Sequence, residues 1–400
     1  MEQPQVASDL LVPSGTRLLH VGAQKTGTTA IQQALVAARE QLLAQGVRLL
    51  GREQGRDLSA HSVLRRTPPL AAAPPPISVW QHRVRTFDQA TEARVVMSDE
   101  NFSFANRETI ARIARDLDPS RLRVVITLRN LGLILPSFWQ QNVQAGVVEG
   151  YDDWLRHVFE RRTGKRHPFW NGERHVELVQ DWVDAIGADR VIVIAVAERD
   201  RRMLYNTFEG MLGLRDGTLQ EVPDRANRSL TLAEAEAVRA FNVAATAAEV
   251  SRDVRAVLMR SGAAERLKTR TPGPGEGRAR TPKWALEQAD GIARDMVAGI
   301  RASGAVLIGD IDGLCRPLAP DAPEDLPPAD RTIAIPPDVV GALSVGIIES
   351  AGLTRQSRGI RGEPPLLQPF STGRLLLTVA RRFLAAAHLP HWPGSREQRS

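Results

Sequence analysis

Cysteine is almost absent: the 400 residues contain one, Cys315. An intramolecular disulfide is therefore impossible, and a cysteine-based zinc site is not expected. The eight histidines include no H-E-x-x-H pair, and His388 and His391 are separated by Pro390, which reads as a tail. No metal is expected. No apolar run approaches the ~18 residues of a membrane span. The first 14 residues are polar, include acidic ones, and lack the basic and apolar regions of a signal peptide. The expectation is a soluble, cytoplasmic protein. Net charge is +6 with arginine the main contributor, yet no dense basic run is interleaved with aromatics. That balance suits an anionic ligand better than nucleic acid. There is no internal repeat.

What is present is an ordinary globular composition, 42% hydrophobic and 24% charged, in a chain long enough for one large α/β domain with additions or for two domains. One stretch stands out, Arg17 to Ile31. It reads as a buried strand, a glycine-containing turn rich in Lys and Thr, and an amphipathic helix. The first N–H groups of a helix lack partners within it and the helix dipole is positive there, so such a turn attracts anions. The spacing is nearly G-x-x-x-x-G-K-[ST]. Gly22 and Gly27 fill the glycine positions and Thr29 the Ser/Thr slot, but Thr28 stands where Lys is usual, and the lysine is Lys25. A lysine inside the turn suits a shorter anionic group than a nucleoside triphosphate.

The run Gln24-Lys25-Thr26-Gly27-Thr28-Thr29 resembles the 5′-phosphosulfate loop of the sulfotransferases that use 3′-phosphoadenosine-5′-phosphosulfate (PAPS). A second segment strengthens the resemblance. Leu128-Arg129, with Ser137 eight residues beyond Arg129, is similar to the family's 3′-phosphate-binding segment, although Asn130-Leu131 replaces the frequent Asp-Pro. Asn227-Arg228-Ser229-Leu230 resembles a turn of bacterial members. The resemblance covers residues 16–145 clearly. It implies an α/β fold, a three-layer doubly wound sheet, mostly parallel, P-loop NTPase-like, with helical additions. It further implies PAPS as co-substrate, without a metal, bound by Gln24, Lys25, Thr26, Gly27, Thr28, Thr29, Arg129 and Ser137.

Strand patterns fall at 16–22, 47–50, 94–98, 122–128 and 190–196, and helical ones at about 79–91, 106–117, 151–160, 173–187 and 200–213. Thr231 is expected to cap one long helix reaching about Met259, and further helices are expected at about 284–303 and 338–350. Residues 1–310 form the expected α/β domain, 311–372 a Pro-rich linker with a short helix, and 373–400 a basic amphipathic helix and tail. The 373–388 segment can pack on its own domain, which is the preferred reading, or lie on a membrane surface or a partner. The loop 268–282, with Lys268, Arg270, Arg278 and Arg280, reads either as a closure over the nucleotide or as a solvated loop.

In sulfuryl transfer, negative charge grows on the bridging oxygen as the phosphate leaves, so positioning and charge stabilisation dominate. Lys25 is the expected stabiliser of that oxygen. A base must take the acceptor's proton. Glu100, just past the strand at 94–98, is preferred over His61, which lies in a loop before a short helix. The expected activity is a PAPS-dependent sulfotransferase of EC 2.8.2 type acting on a hydroxyl or amine of a sugar, lipid or small metabolite. The alternatives are a P-loop kinase or other NTPase, and a non-catalytic nucleotide-binding protein. Trp139, Trp154 and Trp170 can stack on a sugar, but core packing is the commoner use.

Overall fold

A computed structural model of the chain describes residues 10–51, 57–69, 71–162, 167–197, 200–222, 228–316, 323 and 333–351. The turn at 223–227, most of the Pro-rich stretch after 316 and the basic segment 373–388 lie outside the described residues. The described chain falls into two compact units.

The first unit holds a six-stranded sheet: β1 (Thr16–Gly22), β2 (Val47–Leu50), β3 (Arg94–Ser98), β4 (Leu122–Leu128), β5 (Val191–Ala195) and β6 (Val306–Ile308). The order is β2-β3-β1-β4-β5-β6 and every neighbouring pair is parallel. Parallel strands need crossovers, and helices on both faces bury both sides of each central strand. That is why β1, β4 and β5 read as near-continuous apolar runs rather than alternating ones. Alternate residues nonetheless serve different layers. Leu18, Val96, Val125 and Ile194 pack with Ile31 and Leu35 of the Thr28–Ala37 helix and with Phe208 of the Arg201–Leu212 helix. Leu19, Val95, Val124 and Val193 pack on the other side, with Trp80, Ile113, Trp182 and Ile300 from four further helices. Each of these large apolar side chains contributes roughly 1.5–3 kcal/mol on burial. The result is a three-layer, doubly wound α/β fold.

The strand order reverses between β1 and β4, with β3 and β2 on one side and β5 and β6 on the other. In open parallel sheets, ligands bind outside the carboxyl ends of the strands at such a reversal.

Among the described residues, the second unit comprises 142–148, 230–276 and 333–351. Its first helix, Leu232–Ala247, starts at a complete capping box of Thr231 and Glu234. The helix does not run to Met259 as the sequence suggests. Glu249 takes a left-handed conformation, φ 58°, and Ser251 caps a new helix, Arg252–Leu258. Arg270 is buried here against Glu234, Glu276 and Asp338. Its guanidinium holds the Glu276 carboxyl down to about 2. Arg270 therefore ties this unit together, which answers for one of the four basic residues of the 268–282 loop.

Candidate functional site

β1 ends in a bulge: His20 pairs with Val125 and Gly22 with Ile126, so Val21 is the extra residue. A bulge bends the strand and re-aims the backbone beyond it. Here it delivers the chain into a loop over the β1/β4 edge, held by Ala23 N–H donating to the Thr127 carbonyl at 2.8 Å. Gly22, Lys25 and Gly27 are all left-handed, at φ 83°, 62° and 88°. The Thr28–Ala37 helix then starts with no side-chain cap and no acidic residue in its first turn. Thr26 and Thr28 are buried, and both donate their hydroxyls to the Ala23 carbonyl, at 2.7 and 3.0 Å. These two hydroxyls shape the loop. Thr29 is exposed, and Gln24 and Lys25 are half-buried.

Beneath the loop lies a buried polar chain. His20 Nδ1 is 2.7 Å from Ser98 Oγ and Nε2 is 3.2 Å from Thr127 Oγ1, which is 2.7 Å from Thr26 Oγ1. Proton directions come from counting. Thr26 gives its one hydroxyl proton to Ala23, so it accepts from Thr127. Thr127 then accepts from His20 Nε2–H. Complete burial pushes the His20 pKa down to about 3, so the ring is neutral and its Nδ1 accepts from Ser98. The ends of β3, β1 and β4 and the loop are thereby joined. Apart from Thr26, none of these polar residues stands out in the sequence. The signal that could have found them is a polar side chain at the same level of three neighbouring strands, which only the register reveals.

Glu100 begins a short 3₁₀ turn, Glu100–Phe104, directly after β3. A Cβ placed on Gly22 would lie 3.0 Å from Glu100 Cβ and 3.2 Å from its Cα. The loop entrance and Glu100 are thus in contact because position 22 has no side chain. Gln32, from the first helix, donates to Glu100 Oε2 at 2.8 Å and orients the carboxylate. A Gly22→Ala substitution should cost about 1–3 kcal/mol, combining left-handed backbone strain with displacement of Glu100. Urea denaturation checks this, and an unchanged midpoint would contradict the contact.

His61 belongs to a different element. It is 2% exposed, on the Ser59–Val63 helix rather than in the loop before it, and that helix packs on the Glu100–Phe104 turn. Asp57 Oδ1 accepts from Ser59 N–H at 2.8 Å at the start of this helix. Glu100 thus touches the loop entrance and the first helix, and His61 lies on the helix that packs on the turn Glu100 begins.

Arg129 comes directly after β4 and is half-buried. Asn130 Oδ1 accepts from Gly132 N–H at 3.0 Å and starts the Leu131–Gln144 helix, so the cap survives the exchange of Asp-Pro for Asn-Leu. Pro136 within that helix has no N–H for the Gly132 carbonyl. The Thr281 hydroxyl donates to that carbonyl instead, at 3.3 Å. Ser137, the next residue, is half-buried on the same helix. Trp139 and Trp154 are at most 1% exposed and belong to the core.

No family model matches this chain, and no curated protein does. Among solved structures it is similar to a sulfotransferase from Alicyclobacillus acidocaldarius, at 20% identity over 59% of this chain and 95% of that one, with a TM-score of 0.36. It is also similar to mouse sulfotransferase SULT7A1 complexed with PAP, at 12% identity over 61% of this chain and 69% of that one, with a TM-score of 0.29.

Proposed function

We propose that this chain is a sulfotransferase that takes the sulfuryl group from PAPS and passes it to a hydroxyl or amine. The observation that carries the proposal is the loop after β1. Its helix end is uncapped, its lysine lies inside the turn, and the position where a nucleotide kinase keeps its lysine holds Thr28, turned inward onto the Ala23 carbonyl. A loop so built offers backbone N–H groups, the Thr29 hydroxyl and one ammonium to a 5′-phosphate. It offers nothing at the place of a γ-phosphate.

The donor supplies an activated sulfuryl group; the remaining chemistry falls to the protein. Backbone N–H groups of residues 26–29 bind the 5′-phosphate at the helix N-terminus. Lys25 neutralises charge on the oxygen that departs. Arg129 and Ser137 hold the 3′-phosphate through charge-assisted and hydroxyl hydrogen bonds, each contributing roughly 1–3 kcal/mol. Glu100, oriented by Gln32, accepts the acceptor's proton. Its contact with Gly22 at the loop entrance supports this role.

Calorimetry distinguishes this reading from an NTPase. Adenosine 3′,5′-bisphosphate (PAP) should bind at least about tenfold more tightly than ATP with Mg²⁺, a difference of about 1.4 kcal/mol. The reverse order would overturn the proposal. Binding of PAP without transfer from labelled PAPS to any acceptor of a broad panel would leave a nucleotide-binding protein.

A further inference from the structure

Arg162, Trp170, Glu173 and Arg174, which lie between the Tyr151–Glu160 and His175–Ile186 helices, border a cavity of about 590 Å³. Glu173 and His175 line it, with side chains only 1% and 3% exposed. Glu173 Oε2 and His175 Nε2 are 3.1 Å apart but not aligned as a hydrogen bond. Among the described residues, neither carboxyl oxygen of Glu173 nor Nε2 of His175 has a hydrogen-bond partner. The other ring nitrogen of His175 lies 3.2 Å from Met296 Sδ. Buried polar atoms are nearly always matched, and a buried carboxyl group left unmatched is costly. Glu173 Oε2 and His175 Nε2 face each other, which leaves Glu173 Oε1 as the atom on this wall with nothing opposite it, a place a ligand donor can fill.

The rest of the wall indicates which ligand. Glu177 and Asp295 add two more acids. Of the two arginines there, Arg174 is committed to the Ala105 carbonyl and Asp181, and Arg162 lies 6.0 Å from the centre of the Trp170 ring, a cation-over-ring arrangement that a ligand cation can take over. Trp170 spends its indole N–H on the Val158 carbonyl, at 2.7 Å, and so can offer a ligand only its ring. Leu131 and Ile292 supply apolar surface. An acidic wall with a buried carboxyl group, beside aromatic and aliphatic surface, matches an organic cation with an apolar body.

The cavity is also well placed. The His175–Ile186 helix runs into β5, so its N-terminus lies at the carboxyl edge of the sheet. Arg174 reaches the residue just after the Glu100–Phe104 turn, and Leu131 starts the helix after Arg129.

We infer that this cavity binds a small molecule carrying a primary ammonium group, with Glu173 as its counter-charge and His175 Nε2 as a second polar contact. Resting on the sulfuryl-transfer reading, the cavity is the acceptor pocket. The ammonium then serves as the handle, and another group of the acceptor faces Glu100.

The probe is 2-phenylethylamine, compared with its neutral counterpart 2-phenylethanol, titrated into the full-length chain by calorimetry or ligand-observed NMR. The amine should bind at least tenfold more tightly, and Glu173→Gln should abolish that preference while leaving PAP affinity unchanged and the melting temperature no lower than the parent's. Equal binding of amine and alcohol to the unsubstituted protein overturns the inference, whatever the variant does. A preference that survives Glu173→Gln also overturns it. If the amine preference depends on Glu173 but PAP does not bind, the cavity stands and the sulfuryl-transfer reading fails. If PAP binds and the amine shows no preference, the cavity inference alone fails.

Discussion

Replacing Lys25 with alanine should lower transfer from PAPS by about 10²–10³-fold, the loss usual when one preorganised charge-stabilising group is removed. The fold should remain intact. Lys25 occupies a left-handed conformation, φ 62°, which a side-chain-bearing residue adopts at a cost of roughly 1–2 kcal/mol. Alanine carries the same cost, so Lys25→Ala should melt near the parent temperature. Glycine does not, and Lys25→Gly should be more stable than the parent by about 0.5–1 kcal/mol while equally inactive. A lysine kept where glycine would be more stable points to a task for its ammonium. The affinity for PAP separates two versions of that task. If Lys25 acts on the oxygen that gains charge during transfer, PAP binding should fall by less than the rate does. Transfer is measured with radiolabelled donor and PAP affinity by calorimetry. Undiminished turnover in Lys25→Ala would remove Lys25 from the mechanism.

Much of the N-terminal part of the sheet was legible because its signals are local. Strands β1 to β4 match their expected bounds, since apolar runs between turn residues leave little freedom, and β5 matches to within a residue. Glu100 was placed by a general rule about strand ends, and its contact with Gly22 agrees with that placement. What was not legible depends on pairing across the chain. β6 is a three-residue edge strand, Val306–Ile308, with Val306 40% exposed, too short and too exposed for a periodic pattern. The break after Ala247 uses Glu249 in a left-handed conformation, with no glycine or proline to mark it. His20, Ser98 and Thr127 are ordinary residues until parallel pairing sets them side by side. Glu173 and His175 are two apart in sequence, and only the packing of a distant helix bearing Met296 makes them a cavity wall.

The polar residues at the ends of β1 and β3 lead to a prediction about acid stability, in which two buried groups oppose each other. His20 is held neutral by burial, its pKa pushed from 6.5 down to about 3. In the unfolded chain it takes a proton below about 6.5, so between about 3 and 6.5 the unfolded state binds more protons. Stability therefore falls as pH drops through that window, by up to about 1.4 kcal/mol per pH unit. Asp99 behaves in the opposite sense. Burial, with the nearby Glu100 charge adding to it, raises its pKa from 3.8 to about 6 against the hydrogen bonds from Asn101. Between about 3.8 and 6 the folded state binds more protons, and stability rises as pH falls, by about 3 kcal/mol in all. From about pH 6 to 3.8 the two slopes cancel, and the pair contributes little net acid sensitivity. Asp99→Asn removes one of them. The amide oxygen can still accept the Asn101 N–H, which lies 2.9 Å from Asp99 Oδ1, but no charge remains to desolvate. The variant should be more stable than the parent by about 1–3 kcal/mol at pH 8. It should lose about 1.4 kcal/mol per pH unit relative to the parent between pH 6 and 4. Urea denaturation at pH 8, 6 and 4.5 measures both effects. Parallel curves for the two proteins across that range would show that the buried carboxyl group beside Glu100 does not titrate in this window.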